Sequence, residues 1–114
     1  MQLSFIGLGY VGLVSSICLA SRNHTIKAYD NNTKKIQSLL SKTLYIDEKG
    51  LNNLFQKNYN QFSFSHSIND DFYESDLVFI CVDTPYDKDD VLNLSNLLSV
   101  VDEIASKKTN DKKI

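Results

Sequence analysis

Short apolar runs alternate along this chain with apolar positions at helical spacing. Gln2 to Ile6 is apolar, partly β-branched or aromatic, and bounded by Gly7, the pattern of a buried strand. From Val11 to about Ser21, residues Val11, Val14, Ile17, Cys18 and Ala20 keep near-helical spacing. Thr25 to Tyr29 alternates with period two and predicts a second strand. Thr33 is placed to cap a helix holding Ile36, Leu39 and Leu40, and Gly50 precedes a further apolar-periodic piece at Leu51, Leu54 and Phe55. Phe62-Ser63-Phe64 predicts a short strand and Asp70 to Glu74 a single helical turn. The unbroken apolar run Leu77 to Val82 predicts a strand covered on both faces. Past Pro85 an acidic loop leads to Leu94–Ile104, where Leu94, Leu97, Leu98, Val101 and Ile104 form a helical stripe. Strands alternating with helices imply βαβ units around a parallel sheet, an α/β fold.

Composition narrows what such a fold can do. At 114 residues the chain is the size of one domain, and no apolar run approaches the roughly 18 residues of a membrane span. Twelve basic against fourteen acidic residues give a net charge of −2. The only basic clusters are Lys34-Lys35, Lys107-Lys108 and Lys112-Lys113, so no stripe tracks a phosphate backbone and nucleic acid is not an expected partner. Cys18 and Cys81 sit in apolar stretches without CxxC spacing or a nearby His pair, which argues against a zinc site or a disulfide framework. Both are expected to be buried, inert thiols. His24 and His66 lie in polar turns with no acid or nucleophile at triad-like spacing, so no catalytic residue is assigned. With no basic leader before the first strand, the expectation is a cytoplasmic protein.

The chemistry concentrates in Gly7-Leu8-Gly9-Tyr10-Val11-Gly12, a G-x-G-x-x-G placed between a strand and a helix and using three of the four glycines. Gly7 permits the tight turn, Gly9 lets backbone approach a pyrophosphate, and Gly12 lets the helix pack on the strand. The amides at the helix start then face the phosphates. Asp30, eighteen residues past Gly12 and directly after TIKAY, can accept hydrogen bonds from a ribose and would repel a 2′-phosphate. NAD is therefore expected over NADP. The plainer alternative is that the glycines only make a turn and Asp30 only caps the next helix. In the 3-2-1-4-5-6 strand order, the cofactor crevice falls between the first and fourth strands.

FIGLGYVGLVSSICLA, YDNNTKKI, YIDEKGL and SDLVFICVDTP, in this order and spacing, resemble the N-terminal domain of the UDP-glucose 6-dehydrogenase family of nucleotide-sugar dehydrogenases. The resemblance covers nearly the whole chain. It implies a Rossmann-type doubly wound parallel sheet, truncated after the fourth strand and its following helix, with residues 1–114 as the NAD-binding portion only. The implied reaction oxidises the C6 hydroxymethyl of UDP-glucose or a related nucleotide sugar twice, with two NAD, in a homo-oligomeric enzyme. In that family a cysteine from a later segment carries the thiohemiacetal and thioester, so this chain alone is expected to be inactive. A stand-alone NAD-binding or regulatory module, or a dehydrogenase for UDP-N-acetylmannosamine or GDP-mannose, are the alternatives.

By position, the resemblance assigns Gly7, Gly9, Tyr10, Val11 and Gly12 to the phosphates, Asp30 and Lys35 to the adenosine ribose, and Thr84 with Pro85 to the nicotinamide side. Lys35 read without the resemblance is a solvated lysine, and Thr84-Pro85 a strand-ending turn. Glu48 and Gly50 match part of the family's acidic-Pro-Gly-Leu loop, with Lys49 in place of the proline. Asp83 departs from the small or amide residue usual before this Thr-Pro and would sit close to the cofactor. DKKI resembles the approach to a fifth strand, so Leu77–Val82 is expected to be a bare edge that self-associates or pairs with Lys112–Ile114.

Overall fold

Strand β1 (Gln2–Ile6) lies between two parallel neighbours, β2 (Thr25–Tyr29) and β4 (Leu77–Ile80), and β3 (Phe62–Ser65) extends the sheet beyond β2. The order is β3-β2-β1-β4. The computed structural model describes residues 1–68 and 74–106. The connections between parallel strands carry α1 (Tyr10–Ala20), α2 (Thr33–Leu40) and α3 (Leu51–Lys57), with a 3-10 turn at Tyr59–Gln61, and α4 (Ser95–Ala105) follows β4.

Alternation along the strands divides the apolar residues between two faces. Leu3, Phe5, Ile26 and Ala28 point to one side and pack with Leu13 and Ile17 of α1, Leu39 of α2 and Phe55 of α3. Ile6, Tyr29 and Val78 point to the other, where Ile104 of α4 covers them. Helices on both faces make the sheet doubly wound, as expected, and β4 is covered on both sides. Phe5 and Phe79 stack between neighbouring strands with ring centroids 4.6 Å apart.

Several expectations shift. The buried side of α1 is Gly12, Leu13, Ser16, Ile17 and Ala20, whereas Val11 and Cys18 are exposed, so Cys18 is not the buried thiol expected. The helix is apolar nearly all round, and its phase is set by Gly12, which has to face the first turn and Cys81. Asn32, not Thr33, caps α2: its Oδ1 accepts from the amides of Lys34 at 3.0 Å and Lys35 at 3.3 Å, while Thr33 is the first helical residue. β4 stops at Ile80 rather than Val82. Cys81 N–H still reaches Ile6 O at 2.7 Å, but β1 then turns away at Gly7 (φ +98°) and leaves nothing on that side to pair with. On α4 it is Ile104 that is buried and Val100 that packs beside it, while Leu94, Leu98 and Val101 of the expected stripe face solvent. The helical turn expected at Asp70–Glu74, Glu74 apart, and the DKKI segment lie outside the described residues. Among the described residues, no helix is long and apolar enough to cross a membrane.

Candidate cofactor-binding site

The carboxyl ends of the strands open onto a crevice of about 430 Å³, floored by Gly7 and Gly9 after β1, Asp30 after β2 and Cys81 to Asp83 after β4. It sits where strand order reverses between β1 and β4, the position at which open parallel sheets take their ligands.

The glycine turn is fixed from below. A Cβ on Gly7, already at φ +98°, would lie 2.5 Å from the Cys81 carbonyl oxygen. One on Gly12 would strike the Gly7 carbonyl and come within 3.1 Å of Cys81 Cβ. Gly9 differs: the nearest atom to a methyl there is Asp83 Oδ1 at 3.9 Å, so its missing side chain leaves open space. Gly9 is also the N-cap of α1, and the first helical bond runs from Leu13 N–H to Gly9 C=O at 3.0 Å. The amides of Tyr10, Val11 and Gly12 consequently have no acceptor within the helix.

Asp30 closes the other end. Its side chain is only 10% exposed, and Oδ2 accepts Leu8 N–H at 2.8 Å while Oδ1 accepts Asn32 N–H at 2.8 Å. Lys35 Nζ stands 4.0 Å from Asp30 Oδ2 and 5.7 Å from the centre of the Tyr45 ring. The Tyr45 hydroxyl donates to Leu8 C=O at 2.5 Å. Burial, with the Asp30 charge second, pushes the Tyr45 hydroxyl well above its ordinary 10.0, so it remains a donor. Tyr10, from the exposed start of α1, donates to Glu48, and this bond raises its own pKa. The segment between α2 and α3 is thus tied to the glycine turn through two tyrosine hydroxyls.

Of the residues read from sequence, Gly7, Gly9, Asp30 and Lys35 line one crevice, with Tyr10, Val11 and Gly12 at the helix start beside it. Thr84 is half-buried and Pro85 exposed; the lining on that side reaches Asp83 and not these two. Sequence reasoning missed Tyr45, which lies in a stretch without periodicity. It also missed Asn96, whose Nδ2 donates to the Asp83 carbonyl at 3.1 Å from the first turn of α4. His66, set aside in the sequence, borders the crevice after β3.

A family model for the NAD binding domain of the UDP-glucose/GDP-mannose dehydrogenase family matches residues 1–114. The chain belongs to this family. Its cofactor is NAD. The chain is 35% identical over 109 residues to the UDP-glucose 6-dehydrogenase of Rhizobium meliloti, covering 93% of this chain and 25% of that protein. It is 37% identical over 108 residues to the GDP-mannose 6-dehydrogenase of Pseudomonas savastanoi pv. phaseolicola, covering 91% and 24%. A ternary complex of GDP-mannose dehydrogenase from Pseudomonas aeruginosa superposes with a TM-score of 0.85 at 35% identity, again over 91% of this chain and 24% of that one. The chain therefore spans about a quarter of the length of these relatives.

The crevice fits a dinucleotide on its own terms. Three amides without helical acceptors and an open Gly9 suit a diphosphate, and a carboxylate one strand away suits ribose hydroxyls.

Proposed function

We propose that residues 1–114 are the NAD-binding portion of a dehydrogenase that oxidises the C6 hydroxyl of a nucleotide sugar to a carboxylate, with UDP-glucose as the leading substrate. The observation that carries this reading is the pairing of the open Gly9 turn after β1 with Asp30 at the end of the neighbouring β2, in the crevice at the β1–β4 switch point. The amides of Tyr10, Val11 and Gly12 would hold the diphosphate, assisted by the positive end of α1. Asp30 would accept the adenosine ribose hydroxyls on lone pairs not taken by Leu8 and Asn32, with Lys35 beside it. NAD supplies the hydride acceptor. Thr84 and Pro85 belong to the nicotinamide side of this reading, beyond the lining at Asp83.

No cysteine of this chain is assigned to catalysis. Cys81 is half-buried and burial raises its pKa, while Cys18 lies on the surface of α1. The chain alone is expected to bind NAD and to turn nothing over. Calorimetric titration with NAD and NADP tests the reading: NAD should bind in preference, and equal affinity would remove Asp30 from the ribose. Mixing the chain with NAD and UDP-glucose should yield no NADH, because no described residue is placed to hold a sugar against the nicotinamide.

A further inference from the structure

The opening above Gly9 leads to a carboxylate. Asp83 Oδ1 is the nearest atom to a methyl placed on Gly9, at 3.9 Å, on the side that the open turn presents to the crevice. The backbone at this position is held, since Asn96 Nδ2 of α4 donates to the Asp83 carbonyl at 3.1 Å. Among the described residues no cation lies within 4.0 Å of the Asp83 carboxylate. Among the described residues, the crevice lining carries Asp30, Asp83 and Glu103 against a single lysine, Lys35, and that lysine stands toward Asp30. A diphosphate seated on the α1 amides would thus meet a favourable helix start on one side and an unneutralised carboxylate on the other.

We propose that Asp83 is a specificity-determining residue that sets a negative charge against the diphosphate position at Gly9, weakening the hold on phosphates so that recognition rests mainly on the ribose end at Asp30. The inference rests on the cofactor reading above. Two charges several ångströms apart across a wet crevice interact enough to change affinity by about three- to tenfold. A mismatch of this kind acts as discrimination, penalising ligands that carry phosphate relative to those that offer only a ribose to Asp30.

The experiment is a titration of the isotope-labelled chain followed by its amide resonances, with adenosine, ADP and NAD, against the unmodified protein, Asp83→Asn and Asp83→Ser. Melting temperatures confirm that the exposed substitutions leave the fold intact. ADP and NAD should bind about three- to tenfold tighter to both variants at about 0.01 M salt, where the screening length is about 30 Å. The gain should shrink at about 1 M, where that length is about 3 Å. Adenosine should bind all three proteins alike. If NAD shifts the Leu8, Gly9 and Asp30 amides yet ADP binds the variants no better, or worse, the Asp83 inference is wrong and the cofactor reading stands. If NAD shifts none of these amides in any of the three proteins, both fall.

Discussion

Asp30 Oδ2 accepts the backbone N–H of Leu8 at 2.8 Å, a bond across 22 positions of sequence that ties the end of β2 to the middle of the glycine turn. The residue read from sequence as a ribose acceptor is also a strut of the site it serves. Asp30→Ala should therefore lose on both counts. Removing a hydrogen bond to a charged group costs about 1.5–3 kcal/mol, so stability should fall by about that much and NAD affinity by about 10- to 100-fold. Denaturant unfolding and calorimetry read the two effects separately. A variant that unfolds like the parent would mean that the Leu8 bond adds nothing.

That double role was only half legible in the sequence. The G-x-G-x-x-G and the acid at the end of the second strand were visible because each answers to a local rule, a turn or a strand end. The alternation of elements pointed to a parallel sheet, and the 3-2-1-4 order of its strands came with the dinucleotide fold that the glycine motif and the resemblance implied. Tyr45, Asn96 and the Leu8 amide were hidden because their partners lie 37, 13 and 22 positions away, and no periodicity announces them. The phases of α1 and α4 were misread for a related reason. Apolar residues such as Val11 and Leu98 occur on the outer faces of both helices, so spacing alone does not say which stripe faces the sheet.

Tyr45 supplies the second tie to the turn, and its removal should be felt at a distance from any ligand. Tyr45→Phe loses the hydroxyl that donates to Leu8 C=O, which costs about 0.5–1.5 kcal/mol of stability and loosens NAD binding in the same direction. The pH dependence has a definite sign. A hydroxyl held above its ordinary 10.0 contributes stability that is full below that value and is lost as pH rises beyond it. The gap between parent and Phe variant should be open at pH about 8 and should narrow steadily above pH about 10. A gap independent of pH in chemical denaturation would refute the assignment.

The two thiols should separate by both access and acidity. Cys18, exposed on α1, should take up an alkylating reagent first. Cys81, half-buried with its pKa raised by burial, holds less thiolate at neutral pH and should react slowly. Because Cys81 lines the crevice, NAD at about ten times its Kd should slow its modification about tenfold further and leave Cys18 unaffected. Peptide mass spectrometry over a time course resolves the two sites, and equal protection of both thiols would place the ligand elsewhere.

Gly9 and Gly12 stand three residues apart in one motif and should fail in different ways. A methyl on Gly12 meets the Gly7 carbonyl and comes within 3.1 Å of Cys81 Cβ, neither of which can withdraw without moving the turn or β4. Gly12→Ala should cost the fold about 1–3 kcal/mol or more by overpacking, and lose NAD as a consequence. A methyl on Gly9 meets nothing closer than Asp83 Oδ1 at 3.9 Å, and Gly9 has an ordinary extended φ of −73°, so Gly9→Ala should melt close to the parent. It would nevertheless occupy the space through which a diphosphate reaches the free amides of α1, and NAD should weaken by at least about tenfold, the scale of one or two strained contacts. Thermal melts beside NAD titrations of the two variants decide the matter. An intact Gly9→Ala protein that binds NAD like the parent would show that the diphosphate does not pass over Gly9, and would move the cofactor off the helix start altogether.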